Sequence, residues 1–181
     1  MSKVLRELIN TILYLIAVMC AVYLLIAYVG QRTVVSGESM LPTLENQDNL
    51  IVDKLTYRFS DPERFDIIVF PFKYAEQRYY IKRIIGMPGE TVQIDENGVI
   101  YINGDVLVES YGKEVIQKEK IGIAAQEIVL GEDEYFVLGD NRNNSSDSRV
   151  PEVGNIKRED IIGRAWVRIW PLSEFGVLKH Q

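Results

Sequence analysis

The sequence predicts a mainly β protein, with a single antiparallel-rich β domain behind one N-terminal transmembrane helix. Three observations predict it. The chain opens with a long apolar run, short β-branched and aromatic runs follow, and Asn-Gly pairs separate some of these runs. With 181 residues, 47% of them hydrophobic, the chain has the length and apolar content for one domain with a core.

The composition argues against several classes of function. A net charge of −6 argues against nucleic acid as the main partner. One Cys and one His cannot build a usual zinc site, and no nucleotide-binding motif occurs, so no metal and no cofactor are predicted. The single His is His180, beside the C-terminus, which disfavours a Ser-His-Asp triad. A hydrolase of this sequence would take its base from Lys, Asp or Glu.

The first element is the apolar run, which has no charged residue from Leu8 to Gln31. About 20 such residues in a helix cross a hydrocarbon layer of about 30 Å. We therefore predict a cytoplasmic N-terminus at 1–7, a membrane anchor at 8–30 and an extracytoplasmic β domain at 31–181. The alternatives are a cleaved signal peptide and a buried core helix. The apolar run is long for a signal peptide, and it lacks the polar face that a core helix normally has.

The next elements are strands of three to ten residues, and the Asn-Gly pairs at 97–98 and 103–104 predict tight two-residue turns between three of them. The segment from Gly112 to Glu134 has the least pattern and is predicted to be a variable excursion. The predicted strands are Asn49–Val52, Phe65–Phe70, Tyr79–Ile85, Thr91–Ile94, Val99–Ile102, Val106–Val108, Tyr135–Leu138 and Ile161–Trp170.

The first candidate for chemistry is Ser39, a few residues beyond the predicted anchor. It lies between a turn containing Gly37 and the residue Pro42, so its hydroxyl can be held exposed with N–H groups nearby. That arrangement suits a nucleophile with an oxyanion site. The other interpretation is an ordinary turn with hydroxyl-to-backbone hydrogen bonds.

The second candidate is Lys82. In a strand, Lys82 and Arg83 point to opposite faces whose other residues are apolar, so we expect at least one cation to be forced inside. Burial lowers the pKa of a lysine and provides a neutral amine near pH 7. The other interpretation is an edge lysine with its amine in water.

The third candidate is the polar segment 139–149, which has no aliphatic side chain and cannot form core. Asp147 and Arg149 lie two residues apart and can form an ion pair, and Ser145 can orient an amine. The other interpretation is a polar surface loop.

In order behind an anchor, these segments resemble the type I signal peptidases, the membrane-bound serine proteases that remove signal peptides from exported proteins. The match comprises an apolar N-terminal run, 39–44, 65–70, 82–90 and 139–149. The resemblance implies a β-rich catalytic domain on the outer face of the membrane and a Ser-Lys dyad that works through an acyl-enzyme.

By this resemblance, Ser39 is the nucleophile and Lys82 the general base. Ser145 matches the serine that orients the lysine amine, and Asp147 and Arg149 match the pair that supports the site. The resemblance also makes Arg83 structural, and it assigns a structural loop to Gly139, Asp140 and Asn141.

The oxyanion region departs from some relatives, which carry a serine hydroxyl where this chain has Gly37. The expected oxyanion region then consists of Gly37 and the Ser39 backbone N–H, with Ser36 as a further candidate. This pattern, the single anchor and the short chain resemble the Gram-positive members of the family.

The resemblance implies that the partners are signal peptides of exported preproteins and the lipid surface of the cell membrane, with no nucleic acid. Family members bind an extended stretch by strand addition and accept small residues at the first and third positions before the cut. Met40 is either a core residue or a contact with lipid.

Two other classes of protein remain open. One is a membrane-tethered β module without catalysis, and the other is a peptidase for dedicated substrates such as pilins.

Overall fold

The computed structural model describes residues 3–75 and 77–179, without the side chains of 25–28. Its one α-helix, α1, is Lys3–Tyr28, which begins before the predicted anchor at 8–30 and ends two residues short of it. All side chains of 3–24 are exposed, so the alternative of a buried core helix is wrong. By length and composition the stretch Lys3–Leu24, with a mean hydropathy of 1.9, could cross a membrane.

The rest of the described chain is built on twelve strands, and every strand pair is antiparallel. This confirms the predicted fold class. The strands are Gly30–Val34 (β1), Asn49–Asp53 (β2), Ile67–Pro71 (β3), Tyr79–Gly86 (β4), Thr91–Ile94 (β5), Ile100–Ile102 (β6), Asp105–Val106 (β7), Ile128–Val129 (β8), Glu134–Leu138 (β9), Ile156–Lys157 (β10), Gly163–Trp170 (β11) and Gly176–Val177 (β12).

The strands form two sheets. The larger has the order β1-β2-β11-β3-β4-β9-β10, with β12 paired to β11, and the smaller has the order β7-β6-β5-β8. All eight predicted strands are present, with ends moved by up to two residues. The sequence did not predict β1, β8, β10 or β12, because three of them have only two residues and β1 has no apolar alternation.

The two Asn-Gly turns differ. Asn103 and Gly104 both have positive φ, 53° and 84°, as a two-residue turn of type I′ requires. At the first pair only Gly98 has positive φ, 78°, so the two-residue turn predicted there is wrong. The Asp95 carboxylate accepts the N–H groups of Asn97 and Val99, both at 2.9 Å, and this favours a three-residue loop.

The two sheets share a core, in which Ile85, Phe136 and Leu138 of the larger sheet pack with Val92 and Ile94 of the smaller. Complete burial of one such side chain contributes about 1.5–3 kcal/mol. The larger sheet therefore holds β4, which carries Lys82, between β3 and β9 while the smaller sheet covers part of it.

A second core cluster lies under the turn that carries Ser39. Met40 and Leu44 are 2% and 0% exposed and pack against Leu50, and the Leu44 N–H donates to the Met40 carbonyl at 2.9 Å. The interpretation of Met40 as a core residue is confirmed, and contact of Met40 with lipid is wrong. The buried pair fixes the turn to the sheet, and Ser39 remains partly exposed.

Candidate active site

The turn at 36–44 and strand β4 bring Ser39 and Lys82 together. The Lys82 Nζ donates hydrogen bonds to the Ser39 Oγ at 2.8 Å and to the Ile81 carbonyl at 2.9 Å. Lys82 is 4% exposed and Arg83 is 1% exposed, so the strand buries both cations. A lysine with its amine in water, the alternative from the sequence, is wrong.

Burial lowers the pKa of Lys82 to about 8, because a charged amine loses hydration in the interior. Asp147 and Asp140 raise this pKa, whereas Arg149 and Arg78 lower it. Burial prevails over the two acids, each of which is bonded to a guanidinium of its own. The result is an amine with a substantial neutral fraction in mildly alkaline water.

The first of these acid pairs is buried below the dyad. The Asp147 carboxylate receives Arg149 Nε at 2.7 Å and Nη2 at 2.8 Å, and the Gly139 N–H at 3.0 Å. Arg149 also donates to the carbonyls of Lys120 and Arg142, at 2.9 and 2.7 Å. The predicted Asp147–Arg149 ion pair is therefore formed, and it joins three segments of backbone.

The second pair connects β4 with the turn that carries Ser39. Arg83 donates to Asp140 through Nε at 2.9 Å and Nη2 at 2.7 Å, and to the Phe65 carbonyl at 3.0 Å. The Thr43 hydroxyl donates to the same carboxylate at 2.5 Å. Breaking a buried pair of this kind costs about 3–5 kcal/mol, because one charge loses its partner.

Asn141 holds the backbone of the Ser39 turn directly. Its N–H donates to the Ser39 carbonyl and its side-chain amide donates to the Glu38 carbonyl, both at 3.0 Å. The sequence placed Asn141 in a structural loop but contained no signal for these two contacts, since their partners are about 100 residues away.

Ser145 makes no hydrogen bond to the lysine amine. Its Oγ is buried and has no hydrogen-bond partner among the described residues. It lies over Gly139, where a Cβ would come within 2.3 Å of that oxygen and 2.4 Å of the Ser39 carbonyl oxygen. The structure thus brings Ser145 to the neighbourhood of Ser39 without the hydrogen bond to Lys82 that the resemblance implied.

The predicted oxyanion residues lie beside the nucleophile. The Gly37 N–H donates to the Asn46 Oδ1 at 3.0 Å, and Ser36 is exposed. The Ser39 N–H makes no hydrogen bond to another described residue. Of these groups, the Ser39 N–H is available to an incoming oxygen, whereas the Gly37 N–H is already engaged.

An open cleft of about 460 Å³ leads to Ser39 and Lys82. Its walls are 33–40 and 77–82, with Asn144 and Ser146. Strand β4 pairs with β3 from Tyr79 to Arg83, but with β9 only from Arg83 to Gly86. Among the described residues, the second edge of Tyr79–Lys82 therefore has no partner strand, and an extended peptide could add to it.

The unpatterned segment after Gly112 is mostly exposed, but it is not detached from the domain. It packs on the polar loop 139–149, where the Lys113 N–H donates to the Asp140 carbonyl at 2.8 Å and the Ile123 N–H to the Arg149 carbonyl at 3.0 Å. The Tyr111 ring lies 3.9 Å from the Arg83 guanidinium. The two hydrogen bonds use backbone groups and could not be predicted from side-chain pattern.

An ion pair fastens the chain just before this segment to the same loop. Arg142, 1% exposed, donates from Nη1 and Nη2 to both carboxylate oxygens of Glu109, at 2.6 and 2.7 Å. Among the described residues no group of three or more His, Cys, Asp or Glu could hold a metal ion. The candidate site consists of the Ser39 hydroxyl, the Lys82 amine and the ion pairs that support them.

Comparison with known proteins defines the class. The model of the family described as signal peptidase, peptidase S26, matches residues 5–170, and the chain belongs to this family. A signal peptidase I from Leptolyngbya laminosa is 46% identical over 158 residues, which cover 83% of this chain and 74% of that protein. A signal peptidase I from Bacillus caldolyticus is 39% identical over 166 residues, which cover 87% and 88%.

A crystal structure of a signal peptidase I from Enterococcus faecalis V583 matches with 38% identity and a TM-score of 0.47, and covers 58% of this chain and 97% of that chain. The family and the curated relatives make the chain a serine-type peptidase, which confirms the predicted enzyme class. A β module without catalysis is the less favoured alternative.

Proposed function

We propose that this chain removes signal peptides from preproteins with Ser39 as the nucleophile and Lys82 as the general base. Signal peptide removal is the activity that the family supports. The observation that carries the assignment of the residues is the 2.8 Å contact between Lys82 Nζ and Ser39 Oγ at the end of an open cleft. With a pKa of about 8, about a tenth of the amine is neutral at pH 7.

Acylation begins from the neutral amine. The Ser39 hydroxyl donates its hydrogen bond to the lone pair of Lys82 Nζ, and its proton passes to Nζ as Oγ bonds to the scissile carbonyl carbon. The tetrahedral intermediate then collapses, the C–N bond breaks, and the Lys82 ammonium returns the proton to the leaving amine. The mature protein departs, and the signal peptide remains as an ester on Ser39.

Deacylation repeats the sequence with water. The neutral Lys82 amine takes a proton from a water molecule as its oxygen attacks the ester carbonyl. Collapse of the second intermediate breaks the bond to Oγ, and the ammonium protonates Ser39. The signal peptide leaves as a carboxylic acid, and the dyad is restored.

The Ser39 N–H is the proposed main oxyanion donor, because it is the available backbone donor at the nucleophile. The exposed Ser36 hydroxyl is a second candidate, and Gly37 provides space above the turn, since a Cβ there would meet no atom within 4 Å. One preorganised donor contributes about 2.7–4 kcal/mol to the barrier reduction.

The substrate is proposed to lie extended in the cleft. The stretch ahead of the scissile bond adds as a strand to the unpaired edge Tyr79–Lys82, opposite the wall formed by 33–36. Strand pairing satisfies main-chain groups of any sequence, so specificity comes from side-chain pockets. Small residues at the first and third positions before the cut fit the family's preference.

The helix α1 is proposed to anchor the enzyme, with 1–7 cytoplasmic and the β domain at 31–181 on the extracytoplasmic side of the cell membrane. Only Val29 separates Tyr28 at the end of α1 from β1, which leads directly into the cleft wall. At most about 40 Å of chain connects Ser39 to the helix end. Anchoring enzyme and substrate in one surface raises their effective concentration.

The test is cleavage of a purified preprotein by the full-length chain in lipid vesicles. Mass spectrometry of the new N-terminus locates the cut, which we expect directly after the signal peptide. We expect Ser39→Ala and Lys82→Ala each to remove nearly all turnover while circular dichroism and Tm show a folded protein.

Ser173→Ala and Lys157→Ala are the matched controls, because both residues are exposed and lie outside the cleft lining. Substantial turnover by either dyad variant, or a loss of activity in the controls equal to that of the dyad variants, would contradict the assignment. The orientation is tested separately in right-side-out vesicles of the cell membrane. An external protease is expected to digest the β domain there, because that domain is proposed to lie on the extracytoplasmic side.

A further inference from the structure

The far end of the cleft carries a permanent positive charge on Arg78. Its guanidinium carbon lies 5.4 Å from the centroid of the Tyr80 ring and 5.9 Å from that of Phe72. The two rings are stacked, with centroids 4.8 Å apart and planes 15° apart. A guanidinium over such a pair is held by cation–π attraction, so less of its freedom is lost when a ligand binds.

Arg78 immediately precedes β4, and its distance from the reacting atoms follows from the rise of that strand. Arg78 precedes Lys82 by four residues, and at about 3.3 Å per residue this separates their backbones by about 13 Å. Both residues line the cleft. A peptide paired with this edge, with its scissile carbonyl at Ser39, would have its fourth or fifth residue ahead of the cut beside Arg78.

The other charged groups in the described lining lie at the opposite end. Glu38 adjoins Ser39, and Lys82 is the buried base itself. Burial is the main reason for the low pKa of Lys82, and the positive charge of Arg78 also lowers that pKa, so its field acts across the cleft. A ligand side chain near Arg78 therefore meets a positive field.

We propose that Arg78 is a specificity-determining residue, which favours acidic side chains and disfavours basic ones at the fourth or fifth position ahead of the scissile bond. The inference rests on the proposed function, because it uses the same cleft and the same direction of the bound peptide. It concerns a region ahead of the two small residues that the family selects, and it acts through charge instead of size.

The test compares two preproteins that differ only by Asp or Lys at the fourth position ahead of the cut, mixed in one reaction with the full-length enzyme in vesicles of uncharged lipid. The ratio of their kcat/KM values is the readout. Exposed ion pairs change an equilibrium about two- to five-fold. We therefore expect the kcat/KM of the Asp preprotein to exceed that of the Lys preprotein by about two-fold or more at low salt. The preference should shrink at 1 M salt, where the Debye length is about 3 Å.

Variants locate the effect. Arg78→Gln should bring the ratio close to one, Arg78→Glu should invert it, and Arg78→Lys should keep part of it. Lys157→Gln is the matched control, because it removes one exposed positive charge from β10, far along the sheet from β1, and should leave the ratio unchanged. Moving the Asp/Lys pair to the third position after the cut should abolish the preference.

An unchanged ratio in Arg78→Gln would overturn the inference, as would a preference confined to positions after the cut. Equal cleavage of both preproteins by the wild-type enzyme would overturn this inference alone and leave the proposed function intact. Failure of the wild-type enzyme to cut either preprotein would overturn both.

Discussion

The Gly139→Ala substitution tests whether close packing of the 139–149 loop positions the nucleophile. Gly139 has no positive φ, so an alanine there meets no backbone strain, and its effect comes from contact alone. An added Cβ would lie 2.4 Å from the Ser39 carbonyl oxygen and 2.3 Å from the Ser145 Oγ. The serine hydroxyl can rotate away, but the Ser145 Cβ, at 2.7 Å, and the Ser39 carbonyl can retreat only if their backbones shift.

The size of the effect follows from these distances. An ordinary contact of a Cβ begins at 3.4 Å, so the Ser39 carbonyl must retreat by about 1 Å. A misplacement of about 1 Å at a catalytic group can reduce the rate about 100-fold. Overpacking costs about 1–3 kcal/mol of stability, which in a domain of this size lowers Tm by about 2–12 °C.

The assay measures kcat on a preprotein together with the Tm of each variant. Gly176→Ala is the control, because Gly176 also lacks positive φ and a Cβ there would meet no atom within 4 Å. We expect the control to retain wild-type kcat and Tm. A Gly139→Ala enzyme with kcat within about three-fold of wild type and an unchanged Tm would refute the packing argument.

Three further predictions follow from the charges. Because protonated Lys82 cannot accept the Ser39 proton, kcat/KM should rise with pH through an apparent pKa of about 8, and a profile that is flat from pH 5 to 9 would exclude an amine base. Burial lowers the pKa of Lys82 from 10.5 to about 8, so below pH 8 the folded wild type carries a buried charge that the unfolded chain carries in water. Lys82→Met removes this charge and should raise the free energy of unfolding by about 3 kcal/mol below pH 8. That advantage should fall as the pH rises from 8 towards 10.5, and urea denaturation at pH 6 and pH 10 checks both the size and the trend. Asp140→Asn should lower the free energy of unfolding by about 3–5 kcal/mol, because Arg83 then stays buried without its anion, and a loss below 1 kcal/mol would show that Arg83 finds another partner.

The sequence predicted the larger strands and the candidate dyad because their signals are local. The β-branched runs gave the strands of the sheet, and the apolar neighbours of Lys82 and Arg83 implied that a cation enters the interior. The pattern did not indicate whether one or both cations are buried. Both are buried, because β4 lies between two strands and each side chain contacts buried partners.

Other parts depend on contacts between distant segments and had no local signal. Backbone hydrogen bonds of Lys113 and Ile123 make a segment without pattern a support for the loop, and the Arg142–Glu109 ion pair adds a contact from just before that segment. The two-residue turn predicted at Asn97–Gly98 was wrong, because the Asp95 carboxylate accepts the N–H groups of Asn97 and Val99.

The site itself was predicted in part. Ser39 and Lys82 lie within hydrogen-bond distance, and Asp147 and Arg149 form their ion pair. The contact implied for Ser145 is not formed, and the Gly37 N–H is bonded to Asn46. A resemblance identifies which residues to examine, whereas the hydrogen bonds of each depend on how neighbouring loops pack.

The most direct test of the proposed mechanism is the titration of the Lys82 side chain in the folded protein. NMR of the enzyme with ¹³C at the lysine ε carbons, with the Lys82 resonance assigned by its absence in Lys82→Ala, follows the protonation of this amine. We predict a midpoint near pH 8, from the burial of the amine beside Ser39. A midpoint of about 10.4, the value of an exposed lysine, would contradict a neutral amine as the base.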